Sequence, residues 1–406
     1  MDSTPFHPRT SAHSTSYAWK EWAGYAAACS YAPHTEAEFF ALRSTAGLLD
    51  VTPLYKYDVR GPDAGIFLAR MWTRDTSRMG VGRVVYSAMC DESGHMLDDG
   101  TVARIGEQHF RCTSSEPWFA WFLQHSRGFD VTIEDTTNML CGLALQGPRA
   151  RAILRGITEF DMDRMRFFRI RPTTIAGLPV WVSRTGYTGD LGYEIFCENQ
   201  HALPLWDAIM AAGQPHGMVP IGLDALDVAR IEAGFVLQGV DYITAKSCLV
   251  DDLKSTPDEA GLGWTVDLDR EYFVGQQAIR LERKRGPKWD LVGLEISWKG
   301  LEALYAEYGI PPHLAPVACR NPVPVYDWNG EQVGQVTSST WSPTVKRYLA
   351  LAQVRRPHHY EGTELFVEHT PMFERRKVSA EVVANPFFDP PRKRDVPAVS
   401  KQLREE

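Results

Sequence analysis

Short apolar runs and helical spacings alternate along this chain without a regular rhythm. Residues 36–51 (EAEFFALRSTAGLLDV) carry apolar positions at helical spacing and predict a helix stopped near Gly47. Residues 55–72 (YKYDVRGPDAGIFLARMW) predict a strand, a Gly-Pro turn and a helix. Residues 83–115 predict three short strands joined by turns, and residues 116–128 (EPWFAWFLQHSRG) a helix. Residues 140–157 repeat the strand, Gly-Pro turn and helix order, and residues 178–198 (LPVWVSRTGYTGDLGYEIFCE) form a strand, a glycine loop and a strand. Helices follow at 202–213 and 222–234. The mixture favours an α+β fold with largely antiparallel sheets over a doubly wound one. From about residue 286 the texture changes to short strands separated by turn residues, with Trp328–Glu331 (WNGE) a good hairpin turn. That predicts a separate β-domain over 286–385, after a region spanning 31–285. Residues 1–30 read as a disordered or extended lead-in, and 386–406 as a solvated tail.

A length of 406 residues calls for two or three packed domains. With 44% hydrophobic and 23% charged residues the chain reads as soluble and globular. Its net charge of -8 offers no general attraction for nucleic acid or an anionic membrane. No apolar run approaches the roughly 18 residues that span a bilayer. The seven cysteines are isolated, with no C-x-x-C. This fits reduced thiols in the cytoplasm and no zinc site, and no other metal-ligand spacing appears among the histidines.

The segment Ser183–Phe196 (SRTGYTGDLGYEIF) stands out, with Gly186, Gly189 and Gly192 three residues apart, Tyr187 and Tyr193 beside them, and Glu194 at the end. A phosphate loop would open onto a helix N-terminus, often with a lysine. This one runs into a strand and has none. The glycines are expected to allow a tight reversal, and close approach by a flat ligand. Downstream, a helix over 222–234 puts Asp224, Asp227 and Arg230 on one face. Upstream, Asp98 and Asp99 stand beside a glycine that reads as part of a turn.

Taken in order, AGLLDVTPL, LALQGP, RTGYTGDLGYE, GLDALDVARIEAG, FVGQQAI and GQVTSSTWSPTV resemble the blocks of the glycine-cleavage T-protein (aminomethyltransferase) superfamily over roughly residues 31–370. The resemblance implies two folate-binding α+β subdomains, one ferredoxin-like, followed by a C-terminal β-barrel. It implies tetrahydrofolate as cofactor, held in a central channel. By position it implies that Glu194 accepts hydrogen bonds from the pterin's amino and ring N–H edge and that Arg230 donates to its ring acceptors. Tyr86, Tyr187 and Tyr193 would line the folate. One of Asp98 and Asp99 would be the catalytic acid, with Asp98 preferred.

Four departures from the family pattern are visible. Pro53 replaces a histidine, Leu226 replaces an arginine, Cys112–Ser115 (CTSS) replaces VNA, and GTV follows the acid pair where the family has LIV. They suggest a retained cofactor and a different one-carbon donor. The expected activity is thus methyl transfer from a small methylated molecule, such as an O-methyl aromatic, to tetrahydrofolate. Tyr31, Tyr55, Tyr57 and His95 are candidates for assisting the leaving group, and Trp118 and Trp121 could wall the donor or simply pack. The alternatives are the aminomethyltransferase of glycine cleavage, which takes its carbon from a lipoyl arm, and the folate module of an amine-oxidising assembly. A non-catalytic relative that assists iron–sulfur assembly would carry a cysteine where Arg270–Gln277 has none.

Overall fold

The computed structural model describes residues 1–315 and 317–397. Two antiparallel-rich sheets and a barrel carry the fold. The first sheet has five strands in the order Val84–Cys90, Met96–Gly106, His109–Ser114, Tyr55–Arg60 and Thr132–Asp135. The second has six, in the order Ile170–Ile175, Leu178–Ser183, Gly192–Glu198, Leu140–Gln146, Gly47–Asp50 and Val219–Pro220. Only its last pairing, Val219 with Gly47, is parallel. Each sheet buries one face against helices. Phe67, Trp72, Val102, Phe110 and Phe122 centre the first core; Leu143, Leu145, Tyr193, Ile195 and Trp206 centre the second.

The expected β-domain is a closed six-stranded barrel, running from Trp289–Ile296 to Arg376–Val383. The WNGE turn is where expected: the Asp327 N–H donates to Glu331 O at 3.0 Å, and Gly330 takes φ +81°. A helix, Trp298–Ala306, also packs here; its apolar Leu301 and Leu304 cap the barrel core. The fold is α+β with a C-terminal barrel, as the resemblance implied.

Both ends of the chain correct the sequence expectation. Residues 1–30 form a short helix, His7–His13, and a hairpin, Trp19–Trp22 with Tyr25–Ala28. Phe6 is fully buried against Trp206, and the Thr4 hydroxyl donates to Asp50 at 2.6 Å. Low hydrophobicity hid this segment, because a few anchors and backbone pairing hold it. Residues 386–397 are also packed: Arg392 grips Asp190 through two hydrogen bonds of 2.7 and 2.6 Å, and Arg184 donates to the carbonyls of Arg392, Lys393 and Asp395. Residues 398–406 of the expected tail lie outside the described residues. Among the described residues, no helix is long and apolar enough to cross a membrane.

Candidate functional site

The glycine loop has a different purpose from the one expected. A Cβ on Gly186 or Gly192 would sit 2.0 Å from the Gln146 side-chain oxygen. The two glycines bracket that buried amide, which donates to Thr185 O and accepts from the Thr188 hydroxyl at 2.9 Å. Gly189 takes φ +75°, and a Cβ there would meet Ala233 at 2.4 Å. The bare backbone therefore makes room for protein, not for a flat ligand.

What the loop delivers is Glu194. Its strand is fixed by pairing with Ser183 on one side and Ala144 on the other. The carboxylate accepts from the Thr185 hydroxyl through Oε2, and no protein group among the described residues donates to Oε1. Burial pushes its pKa up and Thr185 pulls it down. Strand alternation separates it from its neighbour. Tyr193 points the other way, fully buried in the core of the six-stranded sheet, where its hydroxyl accepts from Arg151 at 3.2 Å. The expectation that Tyr193 lines the folate beside Glu194 fails for this reason.

Asp98 and Asp99 lie inside the strand Met96–Gly106, not in a turn; the turn falls at Asp91–Gly94. Successive residues face opposite ways, and the two carboxylates have different fates. Asp98 is fully buried and accepts five hydrogen bonds: from the Asp99 N–H (2.8 Å), the Ser115 hydroxyl (2.5 Å) and N–H (3.2 Å), the Glu116 N–H (3.0 Å) and the Trp118 indole (2.7 Å). Burial and the charge of Asp99 push its pKa up; Ser115, Trp118 and the Asp99 N–H pull it down. Asp99 is half-buried and, among the described residues, is held by two phenols, Tyr86 on Oδ2 at 2.6 Å and Tyr242 on Oδ1. Burial raises its pKa and the two phenols lower it. Burial and the charge of Asp99 push both phenols well above their usual range, so they remain donors at neutral pH.

Arg230 is the second correction. It is 1% exposed, and its guanidinium is spent inside the protein. Nε donates to Asp227 at 2.7 Å, Nη2 to the Ser338 hydroxyl at 2.8 Å, and Nη1 to Asp241. Asp241 in turn accepts from Thr337 at 2.6 Å and Ser338 at 2.7 Å. Two stretches singled out in the sequence, the 222–234 helix and GQVTSSTWSPTV, thus meet to dock the barrel onto the helix. The pairing of Arg230 with Asp227 one helical turn away was legible. Its burial was not, because the other two partners come from 241 and 338.

The segment Phe235–Tyr242 joins these groups. The Tyr187 hydroxyl donates to Val236 O, and its ring stacks on Phe235 with centroids 5.7 Å apart. Asp241 clamps Arg230, and Tyr242 clamps Asp99. Burial is the main cause of the raised Tyr187 pKa; Arg230 opposes it and Asp99 adds to it. Tyr242, Thr185 and Ser115 were missed; Tyr242 follows a plain Gly-Val-Asp with no spacing to mark it. The Trp118 indole binds Asp98, beyond simple packing. None of the residues expected to assist a leaving group bonds to Asp99 or Glu194. Tyr57 accepts from the Trp118 N–H at 2.9 Å, and His95 faces Asp91.

Comparison with known proteins matches this architecture. Residues 6–270 match the GCVT N-terminal domain, and residues 291–389 the glycine cleavage T-protein C-terminal barrel domain. An aminomethyltransferase of Anoxybacillus flavithermus is 34% identical over 357 residues, covering 86% of this chain and 89% of that protein. A trimethylamine-oxide aldolase of Ruegeria pomeroyi is 35% identical over 370 residues; the match takes in 88% of this chain but only 43% of the aldolase. The crystal structure of glycine cleavage system aminomethyltransferase T from Bartonella henselae superposes with a TM-score of 0.80 at 25% identity, covering 96% of this chain and 98% of that one. The chain belongs to the glycine cleavage T-protein family, the tetrahydrofolate-dependent one-carbon transferases.

Proposed function

We propose that this protein is an aminomethyltransferase: it takes a carbon attached to an amine nitrogen and passes it to tetrahydrofolate. The observation that carries the reading is Asp99, a half-buried carboxylate whose protein partners are the two neutral phenols of Tyr86 and Tyr242.

Tetrahydrofolate, when bound, supplies the nucleophilic nitrogen that receives the carbon. The residues present fit it. Glu194 is a half-buried carboxylate with one protein partner and an open Oε1, so it has lone pairs left for an amino and ring N–H edge. The Tyr187–Phe235 stack supplies a flat apolar wall. In its ionised form Asp99 places a negative charge in a site of low dielectric, where it favours a cationic neighbour such as an amine carbon donor. Its two phenols are already committed to it and offer no proton to a departing phenolate.

That charge is the reason to prefer an amine donor over the O-methyl aromatic expected from the sequence. The sequence departures do not restore the methyl-transfer reading. Pro53 sits under the N-terminal segment with Thr4 and Tyr31, and Leu226 packs against the cluster of Phe39 and Ala229. Ser115, from the altered CTSS, anchors Asp98. Asp98 is thus a positioning residue for the strand, and Asp99 is the acid we assign to the reaction.

The test is an incubation with tetrahydrofolate and pooled donors, reading folate products by mass. 5,10-Methylenetetrahydrofolate formed from an aminomethylated lipoyl carrier supports the reading. 5-Methyltetrahydrofolate formed with loss of a methylated small molecule would replace it with a demethylase.

A further inference from the structure

A cleft of about 520 Å³ lies where the two sheets meet, away from Asp99 and Glu194. Arg83 and Arg169 pair there as a lone antiparallel bridge, the Gly82 N–H donates to Arg104 O at 2.7 Å, and the Ile170 N–H donates to Gly82 O at 2.9 Å. Four of its lining residues are arginines: Arg164, Arg166, Arg169 and Arg171. Val81, Phe160, Met165 and Ile170 complete an apolar floor.

In a chain of net charge -8 this concentration of positive charge is unexpected, and the nearby acids do not relieve it. Asp163 is taken by Arg155 (Nε to Oδ1, 2.9 Å), and Asp161 accepts from the Asp163 N–H to cap its turn. Among the described residues, none of the four arginines makes an ion pair or a side-chain hydrogen bond. Arg171 lies over the Phe160 ring at 4.5 Å, which holds its guanidinium flat against the floor. Like charges gathered in one concavity repel unless an anion enters. Guanidinium forks match phosphate and carboxylate oxygens two at a time, and the volume is in the usual range for a small-molecule site.

We propose that this cleft binds a small polyanion carrying two or more phosphate or carboxylate groups, at a site separate from that of the one-carbon transfer. Such a ligand would tie together the two sheets that carry Asp99 and Glu194.

The experiment is calorimetric titration of the full-length protein with pyrophosphate, with citrate, and with acetate as a single-charge control at matched ionic strength. Each is repeated on Arg166→Glu and Arg164→Glu, both exposed side chains, with circular dichroism to confirm folding. Binding of pyrophosphate or citrate, weakened at least about tenfold by either substitution, supports the site. Pyrophosphate alone would identify a phosphorylated ligand, and citrate alone a polycarboxylate. Binding no tighter than acetate, or equal binding by both variants, overturns the proposal. So does retention of an acidic polypeptide without small-anion binding.

Discussion

The polar centres at Arg230 and Glu194 are built in opposite ways. Around Arg230 the carboxylates of Asp227 and Asp241 and the hydroxyls of Thr337 and Ser338 close a network that joins a helix to the barrel. Around Glu194, one hydroxyl serves a whole carboxylate and leaves an oxygen open. Both lie under blocks that mark the family, yet the first joins a helix to the barrel and the second leaves an oxygen without a protein donor among the described residues. The neighbouring acids repeat the contrast: Asp98 accepts from five donors, while Asp99 accepts from two phenols among the described residues.

The largest effect should come from opening the closed network. Arg230→Ala leaves Asp241 buried without its cation, while Asp227 keeps Arg320 at 2.6 Å, and should cost about 3–5 kcal/mol in urea unfolding. A loss below about 1 kcal/mol would mean that the network is not what holds the barrel to the helix.

Next is the acid pair. Asp99→Asn should lower kcat about 100- to 1,000-fold with an unchanged unfolding midpoint. Asp98→Asn should do the reverse, costing about 1–3 kcal/mol of stability because an amide cannot accept from all five donors. Its turnover per folded molecule should stay within about tenfold of the parent. If Asp98→Asn abolished turnover in a stable protein while Asp99→Asn left it intact, the assignment would be reversed.

The smallest effect should sharpen the open centre. Glu194→Gln should weaken tetrahydrofolate binding about tenfold, from loss of a charged acceptor. The same change should raise stability at neutral pH. Burial raises the folded pKa of Glu194, so its ionised form is disfavoured by folding. The cost is absent below the ordinary glutamate pKa, grows as pH rises through the shifted value, and stays constant above it. Glutamine removes that cost, so the melting temperature of the variant should exceed the parent's at pH 8 and match it near pH 3. Equal melting temperatures at both would show that the carboxylate is solvated after all.

Much of the fold was legible because it rests on local patterns. The strand, turn and helix units, the barrel texture after residue 286 and the WNGE hairpin need only neighbours in sequence. The site was legible in part. Glu194, Tyr187, Tyr86 and the acid pair were singled out through motif resemblance, and the structure brings Tyr86 onto Asp99. Choosing between Asp98 and Asp99 needed Ser115, Trp118 and Tyr242, which reach the pair from other segments. Tyr193 was misplaced because strand alternation sends adjacent residues to opposite faces. The ends of the chain were misread because Phe6 and Arg392 act as single anchors in polar surroundings, and composition averages them away.

The latch of Arg392 on Asp190 bears on how the protein is made. The glycine loop is synthesised in the first half of the chain, and Asp190 within it waits for residues that follow the whole barrel. A nascent chain can form the six-stranded sheet early, but its loop keeps a buried carboxylate without that arginine until the barrel has been made. The turn that carries Arg392 thereby sets the glycine loop in place, and shortening the chain before Arg392 should loosen a segment made some two hundred residues earlier.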